Sequence, residues 1–452
     1  MSQTQQTRPL PRFFNDLPAG WREERLNDIA ELRTSNVDKK SADNEKPVKL
    51  CNYVDVYYND TITSKIEFMD ATATELQIER FTLNIGDVVF TKDSKSPDDI
   101  GIPSLVGESI PGLVCGYHLA ILRSDEKLID GGYLFYALSS VRSAHQFYLT
   151  ANGVTRFGLT LQGTKNIRIA FPSVVAQQKI AAFLAQKTGQ IDVLIAKKKD
   201  LMEKLKEKRL AVITQAVTKG LESAAQMRDS GVPCLGSVPS HWVVTRLRYI
   251  AGLVTSGSRG WAQHFADSGA LFLRITNLNR ESIELLMDDI QRVEPPEGAE
   301  GARTFTKAGD LLISITADLG SVAVIPSDME SAYVSQHLSL VRLDTTNIDP
   351  HWVAYSVFSH AGKFQLQTAG YGGTKVQLSL SDIKEIVFCH PPALKEQQGI
   401  LEFIRLETAR TEELISLASQ AIARLTEYRT ALITAATTGK IDVRHVAIPA
   451  PT

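Results

Sequence analysis

The chain has 452 residues, 43% hydrophobic and 22% charged, an ordinary globular composition with room for two or three cores. No apolar run reaches the roughly 18 residues needed to span a membrane, and Met1-Ser2-Gln3-Thr4-Gln5-Gln6 lacks the basic-then-apolar order of a secretory signal. A formal net charge of −2 argues against a protein that coats nucleic acid unaided, so any DNA-binding surface must be local or supplied by a partner. Cys51, Cys115, Cys234 and Cys389 are scattered and never form CxxC, which disfavours zinc or a disulfide framework and fits a reducing cytoplasm.

In chain order, residues 1–14 are expected to form a loose head, followed by a mixed α/β region over 15–171. Runs such as Asp87-Val88-Val89-Phe90 and Leu119-Ala120-Ile121-Leu122 are bounded by Gly, Pro, Asn and Asp, as strands are. The Gly86-Asp87 pair marks a turn feeding a strand and reads as structural. A helix is expected after Gly131-Gly132. Pro172 then opens a long helix over 172–218. Its apolar residues Ile180, Leu184, Ile191, Leu194, Leu201, Leu205 and Val212 fall on a track that alternates four and three apart, with lysines filling the gaps in the register, the spacing of a coiled-coil seam. Gly220 ends it, and a connector rich in turn residues covers 219–237.

The same order then repeats. Leu17-Pro18-Ala19-Gly20-Trp21 returns as Val238-Pro239-Ser240-His241-Trp242, and Gly86-Asp87 as Gly309-Asp310. His118-Leu119 returns as His337-Leu338, and Gln177-Gln178 as Gln397-Gln398. The offset stays between 219 and 223, so chance matching is a poor explanation. A second mixed α/β region is expected over 238–390, with strands at Leu311-Leu312-Ile313 and Leu338-Ser339-Leu340 and a helix around Trp352-Val353-Ala354-Tyr355. Pro391-Pro392 opens a second long helix over 391–440, with Ile400, Ile404, Leu414, Ala418, Ala421, Leu425 and Leu432 on its apolar track. The tail, 441–452, ends in Pro449-Ala450-Pro451-Thr452. Two such helices bury their seams by packing on each other, and a pseudo-two-fold axis requires them to run antiparallel. The expected fold is therefore α/β mixed: two α/β domains separated by two long antiparallel coiled-coil helices, as an internal repeat.

A β-rich variable region, a long helix opened by Pro172 with Gln177-Gln178, then Thr218-Lys219-Gly220-Leu221 and Leu235-Gly236-Ser237-Val238-Pro239-Ser240-His241-Trp242, resembles the specificity (S) subunit of type I restriction–modification systems. Pro391-Pro392 with Glu396-Gln397-Gln398 repeats the helix start, and the resemblance covers nearly the whole chain. The first helix departs from the pattern, reading Val175-Ala176-Gln177-Gln178 without the usual Glu. The resemblance implies that 15–171 and 238–390 are target recognition domains, each reading one half of a split double-stranded DNA sequence. It also implies that the helices dock two methyltransferase subunits, with two restriction subunits joining the complex. S-adenosylmethionine, ATP and Mg are expected on those partners and none on this chain. The interiors of the two copies (Tyr57 to Gln77 against Arg280 to Val293) share almost nothing, which predicts an asymmetric, bipartite target.

Catalytic motifs are missing. His390-Pro391-Pro392-Ala393 lacks the acidic or amide residue and the aromatic needed beside a flipped adenine, and Thr438-Gly439-Lys440-Ile441 is no phosphate loop. The nine histidines form no metal-ligand pattern. His118 and His337, at a repeated position, read as part of the frame. Candidate DNA contacts are polar residues on loops. Gly153-Val154-Thr155-Arg156 and Gly373-Thr374-Lys375 match each other and suit phosphate clamping. Lys92, Lys95, Arg274, Asn277 and Asn279 lie in unlike segments and are candidates for base edges. The run from Lys197 to Arg209 is a basic helix face, usually a solvated one. The expected activity is non-catalytic DNA recognition that directs adenine methylation and restriction by partners. The alternatives are the specificity subunit of a methyltransferase-only assembly, a self-contained DNA enzyme, or a coiled-coil protein scaffold.

Overall fold

A computed structural model of the chain describes residue 14 and residues 17–257, 259–295, 298–370, 376–444 and 446. Two compact units are present: unit 1 takes Met1–Lys197 with Gln420–Thr452, and unit 2 takes Lys198–Ser419. Both are mixed α/β. Among the described residues no helix is long and apolar enough to cross a membrane.

In unit 1 a five-stranded sheet runs in the order Ala30–Thr34, Leu119–Ser124, Val88–Thr91, Pro103–Val106, Thr61–Ile62. Val88–Thr91 is buried on both faces, which its β-branched and aromatic residues suit. Strand alternation divides the apolar residues between two cores. Val89 and Ile121 pack with Leu50 under a second sheet of Met69–Ala73, Lys46–Cys51 and Leu113–Cys115. Val88, Phe90 and Leu122 pack with Tyr133, Phe147, Ile180 and Leu184 under helices. The helix predicted after Gly131-Gly132 spans Gly131–Leu138, and Val141–Thr150 follows it.

Unit 2 repeats this plan. Its four-stranded sheet runs Ala251–Ser256, Leu338–Leu343, Leu311–Ser314, Val322–Val324. Leu311 and Ile313 face Trp352 and Phe358, while Leu312 and Leu340 face Leu271 and Val334. The helix predicted around Trp352 spans Pro350–Phe358.

The repeated motifs prove to be the frame. Asp87, 2% exposed at its side chain, accepts from Nε and Nη2 of Arg123 at 2.9 and 2.6 Å; Asp310 and Arg342 do the same at 2.8 and 2.6 Å. The preceding Gly86 and Gly309 stand at φ +88° and +82°, a region that favours glycine. Gln177 accepts from the Asp130 N–H and donates to the carbonyls of Leu128 and Pro172. Gln397 repeats this with Asp349, Asn347 and Pro391, so each glutamine ties the start of a long helix to the loop before a shorter one. The first helix lacks a Glu beside its Gln, and the second shows what that Glu does: Glu396 accepts from Trp242 Nε1 at 2.8 Å and from His241 Nε2 at 3.1 Å.

The long helices are Val174–Lys219 and Leu394–Thr437. In unit 1, Ile180, Leu184 and Ile191 share a core with Leu432, Ile433 and Ala436, and Arg429 Nε meets Asp192 at 3.0 Å. In unit 2, Ile213, Ala216 and Val217 share a core with Ile400 and Ile404, and Arg209 reaches Glu412 at 3.4 Å and Glu281 at 2.7 Å.

The predicted seam needs a correction. Leu194, Leu201 and Leu414 are 47%, 48% and 46% exposed and lie outside the buried track. That track runs Ile180, Ile191, Met202, Ile213 on one helix and Ile400, Thr411, Ile422, Ile433 on the other, with all eight residues buried or half-buried. Each step is 11 residues, about 3.67 per turn. A heptad seam lags an α-helix by about 20° per repeat, so a strict four-and-three count walks off the buried face within three repeats.

Candidate nucleic-acid interface

In unit 1 the loop residues gather around one cleft, lined by Tyr53, Tyr57, Lys95, Asp99, His118 and Arg156 among others. One wall is the short helix Tyr53–Tyr57, its start held by Asp55, whose carboxylate accepts from the Asn52 N–H at 2.7 Å. Its i, i+4 spacing stacks the rings of Tyr53 and Tyr57, 5.4 Å apart and 18° from parallel. Tyr57 donates its hydroxyl to Asp99 at 2.9 Å, and that bond pushes the phenol above its ordinary range. Tyr58, 76% exposed, stands edge-on to Tyr57.

The opposite wall is a hairpin of Ala151–Gly153 and Phe157–Leu159, whose second strand also pairs with Asp93–Ser94. Gly153 is required there: a Cβ would stand 2.0 Å from the Arg156 carbonyl oxygen, and φ is +147°. Between the walls Asp93 takes two partners, Arg156 Nη2 at 2.6 Å and His118 Nδ1 at 2.8 Å. The carboxylate raises the Arg156 pKa above its ordinary value.

The sequence candidates fare unequally. Lys95, Thr155 and Arg156 are exposed and line this cleft. Lys92 turns inward instead, donating to the Ser35 carbonyl at 2.8 Å with its ammonium 4.5 Å from the Tyr117 ring centre. Burial lowers its pKa, and its role is to tie the strand to the frame.

In unit 2, Asn277 is 2% exposed and is corrected to a structural residue. Its amide accepts from Arg274 N–H and donates to the carbonyls of Leu286 and Asp289, satisfying a loop's backbone as asparagine does in turns. Asn279, half-buried, accepts from the Glu281 N–H, and Arg274 is paired with Asp289 at 2.8 Å. Thr374 and Lys375 lie outside the described residues. Where unit 1 has Asp93 on His118, unit 2 has Thr316, its hydroxyl 3.0 Å from His337 Nδ1. Unit 2 also has a small aromatic core of its own: Trp261 and Phe272 are buried against each other, stacked at 5.2 Å, with Tyr333 packed on them.

In the Lys197–Arg209 run, Lys204 pairs with Asp200, Lys206 with Glu203, and Arg209 with Glu281 and Glu412, so much of its positive charge is met within unit 2. Sequence reading missed Asp93, Asp99 and the tyrosines. The Tyr53-x-x-x-Tyr57-Tyr58 spacing behind Asn52 was the available signal.

This geometry fits what the chain is similar to. The pattern of the family described as "Type I restriction modification DNA specificity domain" matches residues 18–204 and 296–418. The type I restriction enzyme StySPI specificity subunit of Salmonella potsdam is 22% identical over 368 residues, covering 77% of this chain and 76% of its own. The EcoBI specificity subunit of Escherichia coli is 20% identical over 318 residues, 69% of this chain and 66% of its own. Among solved structures, a chain described under complex assembly and conformational transition of the type I R-M system superposes with a TM-score of 0.71 at 14% identity, covering 94% of this chain and 100% of that one. The HsdS subunit from Thermoanaerobacter tengcongensis gives 0.50 at 16% identity, covering 94% and 99%. The chain therefore belongs to the type I restriction–modification DNA specificity family, as a specificity subunit.

Proposed function

We propose that this subunit recognises a bipartite, asymmetric sequence in double-stranded DNA, one half with each unit, and does no chemistry itself. It directs adenine methylation by two methyltransferase subunits, which carry S-adenosylmethionine. Two restriction subunits bring ATP- and Mg-dependent cleavage, in a cytoplasmic complex. The two long helices pair antiparallel as the spacer and carry the methyltransferase subunits, with the exposed Leu194, Leu201 and Leu414 available for that contact.

One observation supports this reading above the others. The frame is duplicated residue for residue, in Asp87–Arg123 against Asp310–Arg342 and Gln177 against Gln397. What it carries is unlike: a cleft of tyrosines with Asp93, His118 and Arg156 in one unit, and in the other Thr316 in place of that carboxylate against His337, with a Trp261–Phe272–Tyr333 core of its own. Two different readers on one repeated frame suit a target with two different halves, whereas a protein scaffold has no need of that division.

The test is selection of duplexes from a random library by the chain co-purified with its methyltransferase. The reading expects one split motif with a fixed spacer, and affinity that falls steeply with salt because phosphate contacts release counterions. Binding without motif enrichment, or with little salt dependence, would leave the scaffold reading instead.

A further inference from the structure

The geometry points to Arg156 as a base-reading group: we propose that unit 1 uses it to read a guanine in its half of the target, with Asp93 and His118 as the positioning pair. The inference rests on the reading of the chain as a DNA specificity subunit and names one contact within it.

The argument begins with placement. Residues 151–159 form a two-stranded ribbon, and the major groove of B-DNA admits such a ribbon. Its tip is exposed: Val154 is 90% exposed and the Arg156 side chain 60%. Arg156 closes the turn directly before the strand Phe157–Leu159, which pairs with Asp93–Ser94, so arginine and carboxylate are carried by one small sheet.

The charge balance then separates base reading from phosphate clamping. A phosphate contact needs positive charge and reach, which an unpaired lysine supplies. Here the cleft lining has two cations, Lys95 and Arg156, against two carboxylates, Asp93 and Asp99. That balance gives a phosphate chain little attraction. It does suit a cation whose direction matters more than its charge. A carboxylate behind a guanidinium fixes the plane of its fork, and guanine offers two acceptors, N7 and O6, to such a fork. Adenine has an amino group in place of O6 and meets an N–H with an N–H.

The hydrogen bonds leave the fork open. His118 Nδ1 has one in-plane site, and the Asp93 carboxylate 2.8 Å away accepts the proton on it. Arg156 Nη2, 3.0 Å from the same nitrogen, is then a neighbour and not a donor to it. One Nη2 hydrogen serves Asp93 and the other remains, beside Nε or Nη1, for two parallel bonds to a base. Unit 2 keeps the histidine but has Thr316 in place of the carboxylate. The carboxylate is therefore particular to this reader and not required by the frame.

The experiment uses the full chain with its methyltransferase partner and duplexes carrying the selected motif. In these, each guanine of both halves is replaced in turn by 7-deazaguanine, which lacks N7. The wild-type complex is expected to lose about 10- to 100-fold in affinity at one guanine, and the Arg156→Gln complex to be indifferent there. Asp93→Asn separates the roles further, because it adds net positive charge. It is expected to lose discrimination at the same guanine without losing affinity for unrelated DNA. The inference is overturned if Arg156→Gln weakens binding to every duplex alike and lowers the salt slope by about one, the signature of a phosphate contact. It is also overturned if no guanine of either half responds to Arg156. If the wild-type complex selects no split motif at all, the functional reading itself falls, and this contact with it.

Discussion

At the residue scale, the repeated Gly-Asp pairs show how far a short motif can be read. Their position before a strand marks them as structural in the sequence, but the partner does not follow from it. Arg123 lies 36 residues from Asp87, and only the fold brings the two within 2.6 Å. Breaking a buried pair from one side leaves a charge without its counter-ion, at a cost of about 3–5 kcal/mol. Asp87→Ala and Asp310→Ala are each expected to destabilise their own unit by about that much in urea unfolding, while Asp200→Ala, an exposed helix pair with Lys204, changes stability by less than about 1 kcal/mol.

His390 gives a pH dependence with a definite sign. Burial lowers its pKa, and its Nδ1 donates to the Pro391 carbonyl at 2.9 Å. The unfolded chain therefore takes up a proton before the folded one. The stability this group contributes is present above its ordinary pKa of about 6.5 and is lost as pH falls through the lower folded value. Thermal unfolding from pH 7.5 to 5 is expected to fall more steeply for the wild type than for His390→Gln. Parallel curves would contradict this.

The limits of sequence reading are also clearest among single residues. Arg156 stood out because glycine, hydroxyl and cation recur in both copies, a recurrence that suited phosphate clamping and gave no sign of the carboxylate behind it. Asn277 and Lys92 were misassigned because their types suit both base reading and internal bonding, and the sequence does not say which way a side chain turns. Asp93 carried no signal of its own.

At the element scale, strands and helices were legible from periodicity and punctuation. The long helices start within three residues of their prolines and end at Gly220 and Gly439, both at positive φ. Their inner face was only half legible. A four-and-three count fits the leucines available, but the residues that are buried or half-buried recur every eleventh position. Ile191→Ala and Ile404→Ala are therefore expected to cost about 2–5 kcal/mol, and Leu194→Gln and Leu201→Gln less than about 0.5 kcal/mol, by denaturant midpoints. Equal costs for the two sets would restore the heptad seam.

At the scale of the whole molecule, the internal repeat carried the most information. It separated a repeated frame, seen in Asp87–Arg123 and Asp310–Arg342, from the unlike segments to which our proposal gives the reading of the target. The base sequence was not legible, since it depends on side-chain direction at a handful of loop positions. The family places the chain among specificity subunits, and the unlike residues that its two units set on a repeated frame are the basis for our proposal of two half-targets.

The most direct test of that assignment is to express the chain with its methyltransferase in a host lacking adenine methylation and to read N6-methyladenine across the genome. The account predicts one split, asymmetric motif methylated on opposite strands, and none when either protein is omitted. Methylation by this chain alone would contradict its non-catalytic role, and a continuous motif would contradict the assignment of one half-target to each unit.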